Sequence, residues 1–165
     1  MLFFLFSIDM VYSQVRLRVR IDNGNSSTTC TDGFFGGAPD PYFGSNTANQ
    51  GWDYYQGQGI CLNFHNLPYT QYDETFNCAS NYPANLQVCV RAFEEDGICG
   101  SSRDCQVTNC QNFATPAPGG SISYSLSVGG SSSATINFTI FATGSFNQPG
   151  AAYNTICNAV NLGTL

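Results

Sequence analysis

Glu94, Asp96 and Asp104 are the residues whose spacing most suggests chemistry. They follow a strand-like run at 86–92 and span one short loop, so their carboxylates can converge on a hard cation such as calcium. Asp32 or Asp40 would add ligands from earlier in the chain. The plainer alternative is an acidic turn solvated by water, the commoner use of such residues. Cysteine is the second reactive set, with Cys30, Cys61, Cys78, Cys89, Cys99, Cys105, Cys110 and Cys157 spread through the chain. An even count behind an apolar leader implies a disulfide framework made in an oxidising compartment. Cys99, Cys105 and Cys110 lack the paired Cys-x-x-Cys clips of a zinc site. They are expected to form a knotted disulfide loop instead, with local bonds such as Cys99 to Cys105 or Cys110. The full pairing stays open at this stage.

Catalytic readings find little support in the sequence. His65 is the only histidine, so any imidazole acid or base rests on one residue. There is no Gly-Xaa-Ser-Xaa-Gly elbow and no phosphate-cradling glycine loop. Glu74 and Glu94 are of the right type for glycoside hydrolysis, but nothing in their spacing joins them. The chain is therefore expected not to be an enzyme. Aromatic residues offer a different chemistry: Phe34, Phe35, Tyr42, Phe43, Trp52, Tyr54 and Tyr55 fall between positions 32 and 58. Tyr42, Trp52, Tyr54 and Tyr55, flanked by Gly, Asp and Gln, are expected to contact a protein or glycan partner. Phe34 and Phe35 are expected to be at least half core.

Leu2, Phe3, Phe4, Leu5 and Phe6 open the chain, and Val11 and Ser13 suit the −3 and −1 positions of cleavage before Gln14. Residues 1–13 are thus expected to be a signal peptide, without the usual basic start. Residues 14–165 would form a single secreted, extracellular domain, long enough to own a core. No later apolar stretch is long enough to span a bilayer. The 165 residues carry five basic side chains, all Arg, against eleven acids, a net charge of −6. That balance argues against nucleic acid and against anionic membranes as partners. Asn25-Ser26-Ser27 and Asn137-Phe138-Thr139 fit the glycosylation sequon, with Asn25 in a polar turn and Asn137 in an expected strand.

The elements that would position these residues are strands. Val15, Leu17, Val19 and Ile21 alternate with Arg16, Arg18 and Arg20, which predicts a half-buried strand with an arginine face. That face is expected to be solvated and salt-bridged to acids on neighbouring strands rather than to form a basic binding stripe. The polar run 22–25 should end the strand in a turn. Residues 32–58 predict long loops with short strand pieces. Short strands are expected at 59–64 and 74–78, and a stronger one at 86–92. Alternating segments at 121–128 and 133–142, split by Gly129-Gly130, predict a hairpin. No window carries a helical period with caps. The expected fold is all-β: a single antiparallel β-sandwich, jelly-roll-like in its short strands and stapled by disulfides.

Three stretches resemble the extracellular C-two domain found at the N-terminus of Notch ligands. They are Val15-Arg16-Leu17-Arg18-Val19-Arg20 with its Asn-rich turn, Cys30 and Asp32-Gly33; Asp40-Pro41-Tyr42-Phe43 with Ile60-Cys61-Leu62; and Tyr82-Pro83 through residues 86–93. The likeness spans most of residues 15–142 and implies a C-two-like sandwich. With no DSL module and no EGF repeat, the chain is expected to be something other than a complete Notch ligand. Recognition of a receptor or lipid then follows by analogy alone. Three functions compete: a secreted module that binds a protein or glycan through loops, a calcium-dependent lipid- or glycan-binding domain, and a small secreted enzyme of unrecognised type.

Overall fold

The computed structural model describes residues 14–30, 41–55, 64–95 and 103–146. Strand alternation dominates them. The strands are β1 (Val15–Thr28), β2 (Pro41–Thr47), β3 (Asp53–Tyr55), β4 (Phe64–His65), β5 (Tyr69–Phe76), β6 (Asn85–Glu95), β7 (Arg103–Ala114), β8 (Ser121–Val128) and β9 (Ser132–Gly144). A single 3₁₀ turn, Ala79–Asn81, follows β5. The strands form a four-stranded sheet in the order β5-β1-β9-β8 and a five-stranded sheet in the order β4-β3-β2-β6-β7. Pairing is antiparallel except between β3 and β4, which run parallel, a departure from the all-antiparallel expectation.

Side chains from both sheets meet in one core. Val15, Leu17, Val19 and Ile21 of β1 and Ala134, Ile136, Phe138, Ile140 and Ala142 of β9 face Phe43, Tyr55, Val88, Val90 and Ala92. The period-two pattern of β1 and β9 exists because one face of each is buried and the other wet. Where the two sheets come together beyond β7 and β8, side chains cap the exposed backbone. Asn109 Nδ2 donates to the Ser127 carbonyl at 2.7 Å, and the Tyr124 hydroxyl donates to the Ala114 carbonyl at 2.9 Å.

Two bulges shape the four-stranded sheet. In β1 the pairing with β9 shifts between Ile21 and Asn23, so the strand continues to Thr28 instead of turning at 22–25. The shift reverses the alternation: odd positions face the core before it, even positions after it. Gly24 consequently faces inward, where an added Cβ would lie 2.6 Å from the Phe43 ring. In β5 the register against β1 slips beside Gln71, and Gln71 and Tyr72 are both buried as neighbours. Gln71 then bridges the sheets. Its Nε2 donates to the Ser45 carbonyl at 2.5 Å, and its Oε1 accepts from the Ser45 hydroxyl at 2.7 Å and the Thr47 hydroxyl at 3.0 Å.

The disulfides differ from the local bonds expected around positions 99–110. Cys30 at the end of β1 bonds Cys105 near the start of β7, linking the two sheets across 75 residues of sequence. Cys89 bonds Cys110 directly across the β6–β7 ladder, with Cα atoms 4.0 Å apart. Instead of the knotted loop expected around Cys105 and Cys110, β7 is a long strand whose alternation is obscured because Cys105, Asn109 and Gln111 fall in the same series of positions as the inward Val107 and Phe113. Cys105 adopts a positive φ of 55° where the β6–β7 register shifts. Cys78 is disulfide-bonded as well. Cys61, Cys99 and Cys157 lie outside the described residues, as do Phe34 and Phe35 and most of the strand expected at 59–64.

Candidate functional site

β2 and β3 lie within the stretch expected to be loops. They place aromatic side chains on both sides of the five-stranded sheet. Inward, the hydroxyl of Tyr55 shares a 2.9 Å hydrogen bond with Ser45, and burial pushes its phenol pKa well above the ordinary range. Outward, Tyr42 of β2 stacks between Phe64 of β4 at 5.5 Å and Phe93 of β6 at 5.8 Å between ring centres. Tyr54 meets Phe93 edge-on at 5.5 Å. Gly44 makes room for that arrangement, since a Cβ there would sit 2.7 Å from the Tyr54 ring. These rings form a second apolar cluster, with Trp52 packed on its margin.

The burial corrects the expected contact set. Tyr42 is 7% exposed, Tyr54 9% and Tyr55 fully buried, so these three are packing residues. Glycine, aspartate and glutamine neighbours gave them the look of a loop. In fact the inter-sheet core covers the inward face of β2, where Phe43 lies, and the rings of Phe64, Phe93 and Tyr54 pack around Tyr42 on the outward face. Trp52 alone of the four reaches the surface, half-buried, with the Arg91 guanidinium stacked 3.8 Å from its ring centre. Arg91 Nε also donates to Thr108 Oγ1 at 3.3 Å on β7. Arg91 was absent from the expected site, although the alternation Leu86, Val88, Val90 already places it on the outward face.

His65 sits at the opposite edge. Its Nε2 lies 3.1 Å from Asp53 Oδ1, and its ring stacks on Tyr69 at 3.8 Å. This pair pins the short β4 beside β3.

Two of the five acids expected as ligands, Glu94 and Asp104, are set opposite each other by register. Pro41 lies opposite Glu94, and Glu94 opposite Asp104, so the residue after Asp40 and two of the expected ligands share one row across β2, β6 and β7. The Glu94 side chain is 1% exposed. Asp32, Asp40 and Asp96 lie outside the described residues, and Asp104 is placed by its backbone. Among the described residues, no three His, Cys, Asp or Glu side chains gather as a metal site. The two sequon asparagines are both exposed on the outer face of the four-stranded sheet. Asn25 lies opposite Thr135, and Asn137 lies opposite Asn23, to whose Oδ1 it donates at 2.7 Å.

No protein-family model matches the chain, and no curated protein matches it as a relative. The described residues form an all-β, disulfide-stabilised sandwich. Among the described residues no helix is long and apolar enough to cross a membrane.

Proposed function

We propose that the protein is a secreted binding module that recognises an extracellular protein or glycan partner through the outer face of its five-stranded sheet. The observation that carries this is the Trp52–Arg91 pair. A half-exposed tryptophan held by a guanidinium and backed by buried rings is a rigid anchor, and rigid aromatic and arginine anchors dominate binding energy at interfaces. The paired disulfides support passage through an oxidising compartment. Cleavage before Gln14 and glycans on Asn25 and Asn137 belong to the same proposal, as does membership of the C-two-like class. The test is staining of cell surfaces by the tagged protein, followed by flow cytometry. Trp52→Ala should lower the apparent affinity about tenfold or more while the thermal midpoint barely moves. Undiminished staining by that variant would remove the anchor.

A calcium-dependent lipid- or glycan-binding function is the second reading, favoured by the row that sets Glu94 opposite Asp104 and Pro41. Calcium takes roughly six to eight oxygens, so Asp32, Asp40 and Asp96 would have to complete the set. Calorimetry and thermal melts at several millimolar calcium decide it, and the absence of both heat and a midpoint shift eliminates the reading. An enzymatic role has least support, because the partners of His65 are Asp53 and the Tyr69 ring, neither of them an activated nucleophile.

A further inference from the structure

The outer face of the four-stranded sheet concentrates charge on one strand: Arg16, Arg18 and Arg20 of β1 are three of the five basic residues in the chain. The outer two are neutralised. Arg16 forks onto Asp73, Nε to Oδ1 at 2.6 Å and Nη2 to Oδ2 at 2.5 Å, and Arg20 Nε donates to Asp22 Oδ1 at 2.5 Å. Arg18 is different. Asp73 lies directly opposite it on β5 yet bonds Arg16, and among the described residues Arg18 makes no ion pair. Its Nε is buried without a hydrogen-bond partner. The Phe141 ring, opposite Arg18 on β9, holds its guanidinium at 5.8 Å and that of Arg20 at 4.8 Å.

Hydroxyls lie along this row and the next. Ser121 continues the Arg18–Phe141 row on β8, and Thr70 and Ser123 lie in the row of Arg20. All three are exposed. We propose that this face binds a glycan bearing a single carboxylated sugar, with Arg18 as the carboxylate anchor. Because Nε is buried, a carboxylate would meet the terminal Nη pair of Arg18, whose plane and spacing match its two oxygens, and hydroxyl rows match the donors and acceptors of a neutral sugar. The net charge of −6 repels a polyanion, which restricts the ligand to an isolated negative group on an otherwise uncharged chain. An acidic peptide would satisfy Arg18 but leave the hydroxyl rows without matching partners.

The test is a nuclear magnetic resonance titration of the full chain with 3′-sialyllactose and, separately, with lactose. Sialyllactose should shift the amides of residues 16–20 and Phe141 and saturate at millimolar concentration, whereas lactose should leave them in place. Arg18→Gln should weaken that binding about tenfold or more, and Arg18→Lys, which keeps the charge but loses the fork, by less. Trp52→Ala, on the opposite sheet, should not change it, which separates this site from the partner-binding face. The proposal is overturned if lactose binds as well as sialyllactose, if neither binds at about 10 mM, or if a blocked glutamate peptide binds equally. It is also overturned if a folded Arg18→Gln protein binds like the parent. The comparison of the two sugars on the unaltered protein decides even if that variant fails to fold.

Discussion

On the four-stranded sheet, arginines on β1 alternate with Val15, Leu17, Val19 and Ile21, and every apolar residue of that run points inward. On the five-stranded sheet, the adjacent Tyr42 and Phe43 of β2 are both buried, one on each face. Each sheet lays a guanidinium over an aromatic ring, Arg20 over Phe141 and Arg91 over Trp52. Beneath Trp52, however, lies a further cluster of packed rings. One sheet is therefore a wall with a core side and a water side, whereas the other carries a second apolar cluster on its outer face, centred on β2 and β3.

The sharpest way to break that comparison is to truncate one ring on each outer face. Phe93 is fully buried and touches both Tyr42 and Tyr54, so Phe93→Ala should cost about 3–5 kcal/mol. Phe141→Ala, which removes a half-exposed ring, should cost about 1 kcal/mol or less. Denaturant midpoints at constant slope measure both. Equal losses would mean that the two outer faces are energetically alike.

The next effect concerns what joins the sheets. Gln71 accepts from Ser45 and Thr47 and donates to the Ser45 backbone, all of it buried. Gln71→Ala strands those groups without water and should destabilise by about 2–3 kcal/mol. A loss below about 0.5 kcal/mol would show that the Ser45–Tyr55 hydrogen bond suffices by itself. Gly24→Ala comes third. The new methyl meets the buried Phe43 ring at 2.6 Å and the Thr135 carbonyl at 3.0 Å, so about 1–3 kcal/mol is expected. Gly129→Ala, with nothing within 4 Å, should be near neutral and serves as the control.

The same contrast explains what could be read from the chain. β1, β8 and β9 were legible because a strand with one wet face writes period two into its sequence. β2 was not: Tyr42-Phe43-Gly44-Ser45 is buried throughout, and a strand covered on both sides shows no alternation. Its aromatics therefore passed for loop contacts. The bulges were hidden for a related reason, because Asp22 to Asn25 has turn-like composition and only the partner strand reveals that the chain continues. Cys30 and Cys105 are 75 residues apart, and no local spacing could announce their bond. Trp52 is half-exposed, but its partner Arg91 is legible only once β6 is known to border β2.

The smallest expected effect is also the most selective between the faces. Hydrogen bonding to Arg16 holds the Asp73 carboxyl below its usual range, and the Coulomb attraction of Arg16 and Arg18 adds to this. A carboxylate whose pKa is depressed on folding contributes stability that is present above the unfolded value, near about 3.9, and lost as pH falls through the folded value. Asp73→Asn should therefore lower the thermal midpoint slightly at neutral pH, by no more than about 3 °C for so exposed a pair. The two proteins should converge as the pH falls through the lowered folded value, and added salt should shrink the neutral-pH gap. Trp52 is the only tryptophan, so its fluorescence follows the other face. The indole of Trp52 carries no titratable group, so the native emission should stay constant while the Asp73 contribution titrates away. Emission that shifted along the acid curve in the parent but not in Asp73→Asn would show that the outer faces are coupled through the core rather than independent.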